Sequence, residues 1–506
     1  MRAKSVMVMG TASDVGKSVV VTALCRVFAR AGIRVAPFKS QNMSNNAAVC
    51  PGGGEIGRAQ AVQAEACGLE PTVEMNPVLL KPESETGCQV VIRGQARFHM
   101  RAHEHPRYRT AAWPAIVASY HTLAEQFDLI VIEGAGSAAE VNLREHDMVN
   151  WAIAELADAP VLLVADIDKG GVFASLVGTI ELLAPAERRR VHGLVINKFR
   201  GDLQLLGSGL QFLEHRTGIP VLGVVPYLHA LGIPQEDSAT LDTTSMRRQT
   251  KPITCGIVRV PRIANYTDFA PLEDEPDVAV HYLSDPITTP PLDILCLPGS
   301  KSTVADLQWL RRVGWEDVVI RHMRDGGWVI GICGGYQMLG HSILDPQRVE
   351  SHSTETIGLG LLDVATTFAP EKVTDQVAGV ALDSGLLVSG YEIHAGRVTR
   401  HDGTVPLFHL TTRNRHTISE YEGAQSPEGR IWGTAMHGVF DQAAWRRQFL
   451  DRVRAGKGLP VLSISSTPDA LTHRLQAYDR LADVLETHVD MTRLRALIQN
   501  TGAGTQ

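Results

Sequence analysis

Short apolar runs without internal polar positions recur along the first half of the chain: Ser5–Met9, Val35–Phe38, Leu129–Ile132, Val161–Ala165, Leu194–Ile196 and Val221–Val225. A half-exposed strand alternates apolar and polar residues, whereas unbroken runs predict strands buried on both faces, as in a parallel sheet covered by helices. A helical period fills Lys17–Arg30 and stops before Gly32, a C-cap candidate. The stretch 235–252 is polar and aperiodic, and is read as a linker. A second series follows at Thr254–Val260, Val278–Tyr282, Ile294–Leu297, Trp328–Ile332, Leu407–Leu410 and Ile431–Ala435, and a last helical pattern surrounds Leu475–Leu497. The expected organisation is two doubly wound α/β domains at 1–235 and 252–447, a linker at 236–251, and a helical tail at 448–506 without chemistry of its own.

Composition narrows this picture. Hydrophobic residues make up 44% and charged residues 20% of the 506, which fits a globular chain and excludes global disorder. The formal net charge of −7 argues against nucleic acid as a partner. Nothing approaches the roughly 20 apolar residues of a membrane span, and the start lacks a signal-peptide pattern, so a cytoplasmic protein is expected. Seven scattered cysteines form no CxxC pair, which indicates neither a disulfide framework nor a zinc site.

Each strand of the first series runs into polar or glycine-rich sequence, and in open α/β sheets the ligand crevice lies at those carboxyl ends. Gly10-Thr11-Ala-Ser-Asp14-Val15-Gly16-Lys17-Ser18 stands between a strand and a helix. Its glycines let backbone N–H groups cradle phosphates, Lys17 reaches the β- and γ-phosphates, and the Ser18 hydroxyl is a ligand for Mg²⁺. The spacing is one residue longer than the standard phosphate loop. ATP with Mg²⁺ is the expected cofactor pair, with Ser18, Glu133 and Asp166 as metal ligands, the two acids each following an apolar strand. Asn197-Lys198 is read as a pair contacting the purine base. Lys39, Gln41, Asn42 and Asn45 follow the second strand and suit an anionic acceptor or an acyl phosphate, with Glu55, Arg58, Lys81 and Asp168 as further candidates.

Gly331-Ile-Cys333-Gly334-Gly335 follows one strand and opens a helical pattern, the layout of a nucleophile elbow. The Gly334 N–H, with a second donor from Gly299-Ser300 (Gly299 being the residue assigned), would form an oxyanion hole. His437, after the strand Ile431–Ala435, is the base candidate. The other six cysteines are read as small apolar fillers.

The two sites together resemble the cobyric acid synthase family, glutamine-dependent amidoligases of cobalamin biosynthesis. GTASDVGKS, FKSQNMSNNA, GGEIGRAQAVQAEA, MNPVLLKP, IEGAGSAAEVNL, DIDKGGVFAS, VINKFRGD, LPGSKST, GICGGYQMLG, GYEIHAGRV and AMHGVFD carry the resemblance. The first half is similar to dethiobiotin synthetase and the second to class I glutamine amidotransferase domains. The resemblance implies a P-loop NTPase-like parallel sheet followed by a flavodoxin-like amidotransferase sheet. It implies glutamine, ATP and a corrinoid polycarboxylate as substrates, acyl-phosphate activation, and ammonia passed between domains through protein. The products would be the b, d, e and g amides of adenosylcobyrinic acid a,c-diamide. Cobyrinic acid a,c-diamide synthase is the nearest rival. A nucleotide-switched P-loop ATPase is a remote one, because it has no use for Cys333 or His437. Most class I domains carry a glutamate two residues after the histidine. Val439 stands there, and the residue that orients His437 is left unassigned; self-association into a homo-oligomer also stays open.

Overall fold

Along Lys4–Gly10, Val6 and Val8 face one apolar core while Met7 and Met9 face another. The two-residue period of a strand thus delivers an unbroken apolar run to two cores at once. The computed structural model describes residues 3–83, 86–101, 105–229, 232–233, 251–402, 404–462 and 468–500; the linker expected at 236–251 lies outside them except for Lys251.

Six strands make the first sheet, ordered Val221–Pro226, Val191–Phe199, Val161–Asp166, Lys4–Gly10, Leu129–Glu133 and Val35–Phe38, all parallel. The chain therefore enters the middle of the sheet, builds one wing and then crosses to the other, which opens a crevice at the carboxyl end of Lys4–Gly10. The helix Lys17–Arg30 begins and ends as the apolar period requires, with Gly32 just beyond it at φ +77°.

The last helical pattern breaks in two, Ala470–His488 and Met491–Asn500. The apolar period runs through the break, but Val489 bridges to Gly223 and the Asp490 N–H donates to the Leu222 carbonyl. Ala477, Tyr478, Leu481, Ala482 and Leu485 share a core with Val20, Leu24 and Val27 of Lys17–Arg30, and Arg26 meets Asp479 at 2.8 Å. The residues beyond 448 thus divide: Ala443–Gly456 packs through Trp445, Phe449, Leu450 and Val453 into the second domain, and Ala470–Asn500 completes the first. Leu481→Ala leaves a cavity in that shared core and is expected to cost about 2–4 kcal/mol. Urea titration of the full chain measures it, and a loss below about 1 kcal/mol would contradict the packing.

Two features of the first domain have no counterpart in the apolar runs. Gln41–Met43, Val78–Pro82, Gly87–Ile92 and Gln95–Arg101 form a small sheet, and Ala47–Val49 pairs with Glu55–Gly57 as a hairpin. Ala47 and Val49 pack with Leu79, Val91 and, from the second domain, Ile393.

The second domain has a parallel core ordered Val278–Leu283, Ile253–Val258, Ile294–Leu297, Trp328–Ile332 and Ile431–Thr434, edged by the antiparallel Ala424–Gln425. The run at Leu407–Leu410 belongs elsewhere. It lies in Phe408–Arg413, which pairs with an antiparallel ribbon of two long strands, Val364–Ala381 and Leu387–Arg400. Met436–His437 pairs with the second of these, placing His437 opposite Tyr391. Among the described residues no helix is long and apolar enough to cross a membrane.

Candidate active sites and their connection

At the crevice, Asp14 and Gly16 take positive φ (58° and 99°), turning the loop back over the helix start. A side chain on Gly16 would lie 2.0 Å from the Asn197 amide nitrogen, so glycine is required there. Lys17 arches over the loop and donates to the carbonyls of Ala12 and Gly136, both at 2.9 Å. The Ser18 hydroxyl donates to Glu133 Oε1 at 2.9 Å, and the Lys39 ammonium meets the same oxygen at 2.9 Å, while Gln63 donates to the other oxygen. Burial by itself would raise the Glu133 carboxyl; the Lys39 charge and these hydrogen bonds hold it below its usual range. Ser18 and Glu133 fit Mg²⁺, which takes one or two protein oxygens and fills the rest of its shell with phosphate and water. Among the described residues no three His, Cys, Asp or Glu side chains cluster as a complete metal cage.

Other expected residues lie differently. Asp166 is bonded to Lys198 at 2.7 Å rather than to Ser18 or Glu133, and Lys198 also donates to the Asp14 carbonyl. Asn197 donates to the Val15 carbonyl at 2.9 Å, so this buried amide braces the loop from behind. Asp168 pairs with Arg200, whose guanidinium lies 3.4 Å over the Tyr227 ring. Gln41 accepts from the Tyr108 hydroxyl, Asn42 donates to Gln60 at 3.0 Å, and Asn45 donates to the Pro82 carbonyl. Glu55, Arg58 and Lys81 face the second domain. Glu55 has both oxygens taken, by Lys81 at 2.9 Å and by Lys372 at 2.6 Å. Burial by itself would raise its carboxyl, yet the two ammonium charges hold it at about 2.

In the second domain Cys333 sits at φ +50°, ψ −107°, between a strand and the helix Gly334–Leu339. Such a strained turn survives only where packing enforces it. A side chain on Gly335 would strike the Leu297 carbonyl at 2.0 Å, and one on Gly331 the Tyr336 backbone at 2.7 Å. His437 Nδ1 is 2.7 Å from Asp268 Oδ2, and the Gly438 N–H donates to Asp268 Oδ1 at 2.9 Å. Burial would depress the His437 imidazole, but the Asp268 carboxylate and the neighbouring Cys333 side chain raise it to about 10. Asp268 is thus placed to orient His437, an acid that no local pattern identified. It lies 169 residues before the histidine in the single turn Tyr266–Phe269, while Val439 is core packing.

The oxyanion assignment shifts by one residue. Ala264 pairs with Gly299 in an antiparallel ladder, and the Lys301 N–H donates to the Arg262 carbonyl. By the two-residue alternation the Gly299 N–H faces that ladder and the Ser300 N–H faces away. Ser300 N lies 2.9 Å from where a Gly334 Cβ would stand, so Ser300 and Gly334 are the adjacent donors. Gly299 provides room instead: a Cβ there would come within 3.0 Å of His437 Cε1.

The hairpin of the first domain reaches the His437 centre of the second. The Ala47 N–H donates to Asn265 Oδ1 at 2.8 Å, and Asn265 Nδ2 lies 3.2 Å from His437 Nε2. The Ala47 carbonyl accepts from Arg58 at 2.8 Å. Arg58 also donates to the Tyr391 hydroxyl, and the Tyr391 ring stacks on His437 at 5.2 Å.

Residues 6–240 match the CobQ/CobB/MinD/ParA nucleotide binding domain, and residues 254–445 match the CobB/CobQ-like glutamine amidotransferase domain. The cobyric acid synthase of Dehalococcoides mccartyi (strain CBDB1) is 47% identical over 504 residues, covering 98% of this chain and 99% of that one. Those of Syntrophobacter fumaroxidans and Sorangium cellulosum are 46% and 48% identical, each again covering 98% of this chain and 99% of the relative. A nucleotide-binding crevice, a cysteine elbow and relatives matched from end to end lead to one conclusion: the chain belongs to the cobyric acid synthase family.

Proposed function

We propose that the chain amidates the b, d, e and g carboxylates of adenosylcobyrinic acid a,c-diamide, using ATP to activate each carboxylate and glutamine as the ammonia source. The observation that carries this reading is the coexistence of the Cys333–His437–Asp268 constellation with the Ser18–Glu133–Lys39 cluster, the two sharing a built interface.

In the second domain Cys333 Sγ attacks the glutamine amide carbon, giving a γ-glutamyl thioester while the nitrogen leaves as ammonia with the proton held by His437. The N–H groups of Gly334 and Ser300 receive the developing oxyanion. His437 then takes a proton from water, which hydrolyses the thioester to glutamate and restores the thiol. In the first domain the corrinoid carboxylate attacks the γ-phosphorus of ATP, because a carboxylate is a poor electrophile and an acyl phosphate a good one. Lys17 spreads charge from the transferring phosphoryl group. Mg²⁺, held by Ser18 and Glu133, would supply phosphate charge neutralisation. Ammonia displaces phosphate to form the amide, and must reach it unprotonated through the protein.

Mass spectrometry of the corrinoid product tests the substrate assignment. Each carboxylate converted to amide registers as one step, and steps at the b, d, e and g positions are expected. Two steps on cobyrinic acid and none on its a,c-diamide would sink this reading in favour of the diamide synthase activity.

A further inference from the structure

Contact sets the place of the Ser300 N–H relative to that of Gly334: a side chain on Gly334 would lie 2.9 Å from Ser300 N and 3.1 Å from Ser300 Cβ. Ser300 itself stands in a ladder only two residues long, Gly299–Ser300 against Ile263–Ala264. So short a pairing is a marginal restraint on a backbone amide. The rest of the restraint comes from Asp306, in the first turn of the helix Thr303–Val313.

Asp306 is 2% exposed, and a single oxygen, Oδ2, accepts from the Ser300 hydroxyl at 2.6 Å and from the Arg262 N–H at 3.2 Å. The acid thus grips both sides of the ladder at once. The Ser302 N–H donates to Ser300 Oγ at 3.0 Å, and a backbone N–H can only donate. The hydroxyl must therefore turn its own proton toward Asp306, which fixes the direction of every bond from Ser302 through Ser300 to the acid. Cys333 and His437 have other partners, the Ile393 carbonyl and Asp268, so the route from Asp306 to the reaction runs through Ser300.

We infer that Asp306 is a positioning residue for glutamine hydrolysis, holding the Ser300 side chain so that the Ser300 N–H is aimed at the oxyanion formed when Cys333 attacks the amide. This rests on the assignment of Cys333 as the glutaminase nucleophile. A donor so aimed acts mainly in the transition state, where the oxygen becomes charged, and little on the bound amide. The charged groups about Asp306 are Arg262 on the ladder side and, on the helix side, Glu350, which accepts from the Val304 N–H at 2.8 Å. Burial outweighs the Ser300 and Arg262 bonds and pushes the Asp306 carboxyl up to about 6. At neutral pH the acceptor is therefore a carboxylate, which holds a hydroxyl more strongly than a neutral oxygen does.

Glutamate release by the full chain tests this with three variants. Ser300→Ala keeps the N–H and removes the hydroxyl, and should lower kcat about tenfold, part of the 10²–10³ that a whole donor is worth. Asp306→Asn keeps an oxygen for Arg262 but not the charge, and should lower kcat about fivefold with KM within about twofold. Because both changes act on one bond, the double variant should be no more than about twofold slower than Ser300→Ala. The Asp306→Asn deficit should also shrink as pH falls through about 6, where the wild-type acid becomes neutral too. Iodoacetamide should label Cys333 at the wild-type rate in all three. Multiplying losses in the double variant, a deficit confined to KM, a deficit unchanged by pH, or slowed labelling in Asp306→Asn would each overturn the inference. Failure of the underlying assignment looks different, because glutamate release would then survive Cys333→Ala.

Discussion

Cys333→Ala is expected to abolish glutamine-dependent amidation, by at least about 10³-fold, while amidation supported by free ammonium salts continues. The asymmetry follows from the separation of the centres. Cys333 is buried at the elbow of the second domain, and the residues proposed to activate the carboxylate, Lys17, Ser18, Lys39 and Glu133, all belong to the first. Alanine has no sulfur for the thioester, and it leaves the Ala47–Asn265 bond between the domains in place. Parallel assays with glutamine and with ammonium chloride measure the split. Loss of both activities in a folded variant would mean that Cys333 serves the amidation step itself, and the division of labour would fall.

Asp268→Asn should lower glutamine hydrolysis by about 10³–10⁴-fold, on the general behaviour of an acid–histidine pair. The Gly438 N–H requires an acceptor on one side of residue 268, so an asparagine would turn its NH₂ toward His437 Nδ1. That imposes the tautomer protonated at Nε2, which has no lone pair for the Cys333 proton. Removing the carboxylate also removes a main cause of the raised imidazole pKa, which should drop from about 10. The thiolate–imidazolium pair then loses its stabilisation as pH rises through that lower value. Labelling of Cys333 by iodoacetamide at neutral pH should therefore slow in Asp268→Asn. A fall of less than about tenfold in glutamine hydrolysis would remove Asp268 from the catalytic constellation.

What was legible in the chain depended on range. The phosphate loop and the cysteine elbow announce themselves because their geometry is local. Gly16, Gly331 and Gly335 must be glycine for steric reasons decided within a few strands, and the functional side chain is adjacent in sequence. The runs buried on both faces were equally plain, since each strand core repeats one requirement. Asp268 and Asn265 carry no such mark. Their meaning comes from contacts 169, 172 and 218 residues away, and each sits in a turn whose composition is unremarkable. The ribbon Val364–Ala381 was hidden because its middle is only partly buried and holds Glu371, Lys372 and Asp375, which erases the alternation that marks a strand. Lys372 is there to meet Glu55 across the interface, so the function that hid the strand is also what joins the domains. Glu55, Arg58 and Lys81 were legible as charged candidates, but their place at the domain interface was not, because a charge names its chemistry but not the surface it will face.

The union of Lys17–Arg30 with Ala470–His488 has a consequence for how the chain comes to exist. The nucleotide-binding domain is discontinuous, with the amidotransferase domain inserted between its body and its closing helices. During synthesis the phosphate loop is made among the first residues, yet the apolar flank of its helix stays uncovered until nearly the whole polypeptide has emerged. The glutaminase half can thus complete its own core before the ATP-using half has closed. A chain cut before Ala470 should therefore keep the whole core of the amidotransferase domain while lacking the helices that close the nucleotide-binding one.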